Sequence, residues 1–264
     1  MYAFEYKRPA SLAEAAQMLS GDDEAKLIAG GQTFIPTLKQ RLAQPSTVVD
    51  LGAIGELSGI REEAGGVTIG AMTRHGEVAS SDVVKRVIPS LAALAELIGD
   101  PQVRNMGTLG GSIANNDPAA DYPGALLALQ ATIRTTKREI GADDFLTGMF
   151  DTALEEHEII KEVHFKKPDA GHYEKFPNPA SRYSMVGAYV TRWGGAVRVA
   201  ITGAGPCAYR WKEAETALGS NFTGDAVAGL TVDASDLNAD IHASADYRAH
   251  LVKVMTQRAI KGCA

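Results

Sequence analysis

The spacing of apolar positions in residues 1–52 indicates a small α/β unit. Ser11-Leu12-Ala13-Glu14 has the capping-box pattern, in which a serine and a glutamate three residues later each accept an amide hydrogen at a helix start. We expect this helix to end at Ser20, before Gly21. Extended apolar runs predict strands at residues 26–29 and 47–51, with a helix over residues 34–42 between them.

Residues 57–165 carry a mixture of short strand-like and helix-like runs. Strands are predicted at residues 58–61, 67–71, 132–136, 138–141 and 158–165. Helices are predicted from Thr73 as N-cap to 79, from 81 to Pro89, and at residues 90–98, 123–131 and 142–147. The segment 166–171 combines charge, a proline and a glycine, which is typical of a domain boundary.

Beyond this boundary the pattern predicts a smaller α+β domain of three strands covered by helices. Two β-rich runs, residues 186–193 and 196–203, are separated by Gly194-Gly195 and indicate a hairpin. Helices are expected at residues 212–218, 224–230 and 246–261. The last has an apolar face formed by Tyr247, Leu251, Val254 and Met255.

Composition narrows the class of protein. A chain of 264 residues is long enough for one large domain or two modest ones. Its two cysteines lack metal-binding spacing, and no apolar run approaches the ~18 residues of a membrane span. We therefore expect a soluble, cytoplasmic protein without membrane insertion. A net charge of -6, with no basic stripe, argues against nucleic acid as a partner.

Two glycine-rich turns carry the candidate binding chemistry. The first turn is Ala29-Gly30-Gly31-Gln32-Thr33, and the second turn, residues 107–112, is Gly107-Thr108-Leu109-Gly110-Gly111-Ser112. Glycine permits φ > 0 and leaves backbone amides uncovered, so such turns can hold an anion. Either turn alone is more often a plain loop than a ligand site. Two of them, each with hydroxyl residues, suggest a ligand with two adjacent phosphates, such as a dinucleotide.

Other familiar motifs are incomplete. No Gly-Lys dipeptide occurs, which excludes a P-loop, and Gly203-Ala204-Gly205 lacks the third glycine of the Rossmann fingerprint. His157 and His164 lack metalloprotease spacing and are interpreted as surface residues. Asp143-Asp144 lies near a predicted helix start, where capping is the commoner role. We therefore predict no catalytic residue and no metal ligand.

Residues 103–112, together with Asn115 and Asp121, resemble the FAD-binding medium subunit of the molybdenum hydroxylases, the xanthine dehydrogenase and carbon monoxide dehydrogenase family. The first turn, residues 69–73 and residues 173–176 extend the resemblance over essentially the whole chain. It implies an α+β fold with a two-subdomain FAD-binding domain of the vanillyl-alcohol-oxidase type. The implied limits are 1–168, with subdomains at about 1–52 and 53–168, and a C-terminal domain at 172–264.

The resemblance also implies which residues contact a non-covalent FAD. They are Ala29, Gly30, Gly31, Gln32, Thr33, Ile98, Thr108, Gly110, Gly111, Ser112, Asn115, Asp121, Ile160 and Lys175. The amides of both turns and the hydroxyls of Thr33, Thr108 and Ser112 would hold the pyrophosphate, Asn115 would shape the pocket wall, and Asp121 would accept from a sugar hydroxyl.

Ile98 would lie near the flavin ring, and Ile160 and Lys175 would approach the cofactor from later strands. The family often has an aromatic residue near Ile98, so what covers that ring face is left open here.

Gln32 replaces the family's usual first-turn histidine, and no histidine or cysteine in either turn could bind flavin covalently. The chain also lacks the cysteine cluster of members that hold an iron–sulfur centre in this subunit.

In such enzymes a large subunit carries the molybdenum cofactor, and a small subunit carries two [2Fe–2S] clusters that pass electrons to FAD on the medium subunit. The resemblance therefore implies these two partners, in a dimer of heterotrimers. It leaves open the substrate and the terminal acceptor, which could be NAD, a quinone or oxygen. Two rivals remain, a stand-alone flavin reductase of the same fold, like that of cell-wall precursor synthesis, and a non-catalytic nucleotide-binding module.

Overall fold

A three-stranded parallel sheet begins the computed structural model, which describes residues 1–63 and 65–263. Its elements are β1 (Glu5–Lys7), α1 (Leu12–Ser20), β2 (Lys26–Ile28), α2 (Phe34–Lys39) and β3 (Thr47–Asp50), and the strand order is β1-β3-β2. Two short 3-10 turns, Leu51–Ala53 and Gly55–Leu57, follow.

The expected helix start at Ser11 is confirmed. The Glu14 amide donates to Ser11 Oγ over 3.2 Å, while the Glu14 carboxylate accepts from the amide of Ala10 rather than from that of Ser11. Helix α2 ends at Lys39, three residues before the predicted end.

A five-stranded antiparallel sheet of order β4-β5-β10-β6-β7 forms the second unit. Its elements are β4 (Ile60–Glu63), β5 (Gly66–Gly70), α3 (His75–Ser80), α4 (Asp82–Val87), α5 (Pro89–Glu96), α6 (Pro101–Arg104), α7 (Leu109–Asn115), α8 (Tyr122–Ala128), β6 (Thr132–Thr135), β7 (Glu139–Gly141), α9 (Ala142–Phe145), β8 (Leu146–Gly148), β9 (Asp151–Thr152) and β10 (Ile160–Lys166). Among the described residues, the largest buried apolar cluster lies between this sheet and its helices and extends to Tyr173, Tyr189 and Ala200 in the C-terminal part of the chain.

Three details of this unit differ from the sequence-based expectations. Arg74, not Thr73, occupies the N-cap position of α3, and the Thr73 hydroxyl bonds the backbone of Gly59 instead. The short helix α6 separates α5 from the second turn. His157 and His164 are half-buried rather than surface residues, and His164 Nδ1 lies 2.9 Å from Thr68 Oγ1.

The C-terminal sheet has four strands instead of the predicted three. It comprises β11 (Ala170–Pro177), β12 (Ser184–Trp193), β13 (Ala196–Thr202) and β14 (Tyr209–Arg210), followed by α10 (Lys212–Ser220), α11 (Asp225–Ala228) and α12 (Ala245–Gly262). The predicted hairpin is confirmed as β12–β13.

Strand β11 starts within the segment interpreted as a boundary and pairs antiparallel with β12. Its charged and polar residues do not show the apolar pattern from which a strand would be predicted. On α12, Leu251 and Met255 are buried, but Tyr247 is 42% exposed and packs edge-on against Phe176.

The first two sheets connect to the C-terminal sheet through the three-residue link between β10 and β11. Across this junction, the amides of Ser184 and Gly203 donate to the carbonyls of Ala119 and Pro118. Arg198 also bonds both carboxylate oxygens of Asp143, which the sequence suggested as a helix cap. The C-terminal sheet therefore holds the segment that follows α7. Within the described residues, no helix has both the length and the apolar character needed to cross a bilayer.

The contribution of this junction to stability can be tested at the hydroxyl of Thr202. It is 1% exposed and contacts the carbonyl oxygens of Pro118 at 3.1 Å and Ala120 at 2.5 Å. We expect Thr202→Val to lower the free energy of unfolding by about 1–3 kcal/mol, because the buried Ala120 carbonyl loses its donor, whereas the Pro118 carbonyl keeps the amide of Gly203. Urea unfolding measures the effect.

The matched control is Thr216→Val on the exposed surface of α10, where the hydroxyl bonds only within its own helix. It should change stability by no more than about 0.5 kcal/mol. Equal effects of the two substitutions would contradict the role of Thr202.

Candidate cofactor-binding site

A cavity of about 660 Å³ lies where the three parts of the chain meet. The first turn and the second turn both line it, and Ser181, Arg182 and Tyr183, from the loop between β11 and β12, contribute a further part of the wall. A volume of roughly 300–1,000 Å³ is typical of small-molecule and cofactor sites. The site is thus shared by segments that are distant in sequence.

Thirteen of the fourteen residues predicted to contact a cofactor line this cavity. They are Ala29, Gly30, Gly31, Gln32, Thr33, Ile98, Thr108, Gly110, Gly111, Ser112, Asn115, Asp121 and Ile160. Lys175 is the exception, since it lines a smaller neighbouring cavity of about 280 Å³. The two cavities share Gly99 and Arg182.

The first turn presents unpaired backbone donors. In the part of the chain that the structure describes, the amides of Gly30, Gly31, Gln32 and Thr33 have no hydrogen-bond acceptor. Gly31 has a φ of 71°, a conformation that favours glycine. Successive unpaired amides in a turn with left-handed backbone form a concave site for an anion.

The second turn differs from the expectation of uncovered amides. It forms the start of α7, and the amides of Leu109 and Gly110 donate to the carbonyls of Thr73 and Ala71. The Gly111 amide donates to Thr108 Oγ1, and the Ser112 amide donates to the Thr108 carbonyl. These four amides are therefore occupied by the protein itself. The Ser112 hydroxyl lines the cavity and has no bonding partner among the described residues.

Glycine in the second turn serves close packing rather than φ > 0, because Gly107, Gly110 and Gly111 all have ordinary φ. A Cβ on Gly110 would lie 2.6 Å from that of Ala71, and one on Gly111 would lie 2.9 Å from Thr108 Oγ1. A Cβ on Gly30 would overlap the Met106 carbonyl oxygen and lie 2.8 Å from the Cα of Gly107. The missing side chain of Gly30 therefore lets the two turns touch, and that of Gly110 lets the second turn pack against Ala71.

Asp121 brings a negative charge to the cavity wall. Its carboxylate is 4% exposed and accepts hydrogen bonds from Tyr173 Oη at 2.5 Å and from Lys175 Nζ at 3.0 Å. Burial raises the pKa of Asp121, and the Lys175 ammonium and the Tyr173 hydroxyl oppose that rise. Each carboxylate oxygen retains a further lone pair that can accept from a ligand.

Tyr183, Arg182 and His75 are among the cavity-lining residues that sequence reasoning missed. Tyr183 is 44% exposed, and Arg182 beside it donates to the Gly99 carbonyl at 3.3 Å. No local motif marks this pair. His75 is 5% exposed, and burial, aided by Arg104, lowers its pKa to about 4, so it is neutral at pH 7. Its backbone amide donates to the Gly107 carbonyl and supports the second turn.

Comparison with known proteins gives a consistent result over the whole chain. Residues 2–168 match the family described as the FAD binding domain in molybdopterin dehydrogenase. The carbon monoxide dehydrogenase medium chain of Hydrogenophaga pseudoflava is 38% identical, with 97% of this chain and 96% of that protein covered.

Two further proteins extend the likeness. The nicotine 6-hydroxylase medium subunit of Paenarthrobacter nicotinovorans is 36% identical, with 98% of this chain and 96% of that protein covered. A solved structure of reconstituted CO dehydrogenase from Oligotropha carboxidovorans superposes with a TM-score of 0.91 at 32% identity, covering 99% of this chain and 98% of that one.

The contact between the turns can be tested with a single methyl group. We expect Gly30→Ala to lower the free energy of unfolding by about 1–3 kcal/mol, because the new Cβ forces the Met106 backbone away. Thermal unfolding measures the effect.

Gly195→Ala is the matched control, since nothing lies within 4 Å of its added Cβ. We expect it to stay within about 0.5 kcal/mol of the parent protein. A Gly30→Ala protein as stable as this control would show that the turns do not need the close approach.

Proposed function

This chain belongs to the family of FAD-binding domains of molybdopterin dehydrogenases, and from that premise we propose that the cavity between its two glycine turns holds the FAD. The protein is the FAD-carrying electron-transfer subunit of a heteromeric molybdenum hydroxylase. It accepts electrons from a partner's [2Fe–2S] clusters and passes them to a terminal acceptor. Bound FAD supplies this redox chemistry, while the polypeptide binds and orients it.

The unpaired amides of residues 30–33 are the observation that carries the proposed site. A diphosphate needs several donors converging on it, and these amides with the Ser112 hydroxyl supply them from two sides of one cavity. The second turn contributes shape and its hydroxyls rather than a second row of amides. Asn115 shapes the wall, and Asp121 accepts from a sugar hydroxyl.

For the flavin ring, we propose contacts with Ile98, Ile160 and Tyr183, which all line this cavity. The half-exposed Tyr183 supplies an aromatic surface in a site where Ile98 does not. The bond from Arg182 to Gly99 ties the tyrosine's segment to the loop that carries Ile98. An aromatic ring and aliphatic side chains suit the faces of a flat, largely apolar ring system.

The chain functions with large and small partner subunits, as its medium-chain relatives do. Its two cysteines are far fewer than the roughly eight ligands that two [2Fe–2S] clusters would need. We propose a dimer of heterotrimers and, from the two free cysteines, a cytoplasmic location. The match of essentially the full chain to medium subunits favours this function over a stand-alone reductase of the same fold.

Acid precipitation tests the identity and attachment of the cofactor. Neither turn contains a histidine or cysteine that could bond the flavin ring, so the flavin should leave with the supernatant. Chromatography of that supernatant should identify FAD. Flavin that stays with the pellet, or FMN in place of FAD, would contradict the proposed site.

Purification of a tagged chain from its native host tests the assembly. The complex should contain molybdenum and iron and hydroxylate its substrate, whereas the isolated chain should have no hydroxylase activity. The isolated chain with added FAD is the control. A metal-free monomer that hydroxylates an organic substrate would refute the assignment.

A further inference from the structure

The ionic contact at Asp121 joins two domains. Asp121 immediately precedes α8 in the FAD-binding domain, whereas its donors, Tyr173 and Lys175, lie on β11 of the C-terminal sheet. Tyr173 and Lys175 are two apart on the strand, so both side chains project from the same face. One face of β11 therefore reaches across the junction to a single carboxylate.

The side chain of Lys175 is buried in this contact. Its side chain is 3% exposed, and its ammonium group also donates to the Leu97 carbonyl at 3.0 Å. Asp121 lines the large cavity, but Lys175 does not. Lys175 instead lines the smaller neighbouring cavity, so the two partners of this ion pair line different cavities.

The sign of the charge at this wall matters for a ligand that carries phosphates. A buried carboxylate without a counter-ion would repel a diphosphate and would itself be costly to keep ionised. With Lys175 as partner, the pair has no net charge, and two donors restrict the orientation of the carboxylate. Asp121 can then accept a hydrogen bond from a ligand hydroxyl without adding repulsion.

We propose that Lys175 and Tyr173 are positioning residues that neutralise and orient Asp121, so that strand β11 sets the affinity of the cavity for FAD through a residue of the other domain. This inference rests on the proposed function of the cavity. It differs from a direct role of Lys175 as a ligand of the cofactor. In our account Lys175 matters only while Asp121 is charged.

A double-mutant cycle separates the two roles. We expect Lys175→Met to raise the FAD Kd of the apoprotein about tenfold or more, since it leaves an uncompensated carboxylate at the wall. Asp121→Asn with Lys175→Met should bind FAD within about threefold of Asp121→Asn alone, because both proteins lack the carboxylate that Lys175 neutralises. Quenching of FAD fluorescence measures each Kd.

If Lys175 contacts FAD directly, the double variant will bind at least as weakly as Lys175→Met, and the inference falls. Lys212→Met is the matched control, because this lysine is 61% exposed on α10. Its Kd should equal that of the parent chain. Circular dichroism of each apoprotein establishes that it is folded.

Tyr173→Phe provides a second cycle with Asp121→Asn if Lys175→Met does not fold. This substitution removes only the hydroxyl. It should raise the Kd for FAD less in the Asp121→Asn protein than in the parent chain. A parent chain that binds no FAD would overturn the proposed function together with this inference. A parent chain that binds FAD, with Lys175→Met binding equally well, would overturn the inference alone.

Discussion

The site depends on the close approach of two backbone segments that carry no side chain where they meet. Gly30 lies so near Met106 and Gly107 that a Cβ would overlap a carbonyl oxygen. This contact joins the loop after β2 of the small parallel sheet to the loop before α7, and both loops line the cavity. Gly110 packs as closely against Ala71. Since interiors are packed as densely as organic crystals, one methyl group here would shift both turns.

The two turns look alike in sequence but contribute differently. In the first, four consecutive amides have no acceptor among the described residues, so they remain available to a ligand. In the second, the start of α7 uses its amides to bind the preceding loop and its own threonine cap. An amide donates one hydrogen bond well, so an amide that builds the turn is not also free for a phosphate. The first turn therefore supplies hydrogen-bond donors to the cavity, whereas the second turn mainly determines its shape.

The C-terminal domain supplies the third wall and holds the segment between α7 and α8. Thr202 and the amides of Ser184 and Gly203 bind carbonyls of residues 118–120, and β11 binds Asp121. The C-terminal part of the chain therefore helps to shape the cavity in which we propose that the cofactor binds. This division of labour suits an electron-carrying subunit, whose chemistry belongs to the cofactor while the protein determines its position.

The sequence by itself determined the local elements and the family. Apolar spacing and caps predicted α1, the β12–β13 hairpin and α12, because these patterns act over a few residues. Tertiary structure alone decided which amides stay unpaired, how Asp121 finds Lys175 54 residues away, and that Tyr183 reaches the cavity. It also revealed β11, whose polar segment is held in the extended conformation by pairing with β12. These features depend on contacts between distant segments, and local sequence patterns carry no record of such contacts.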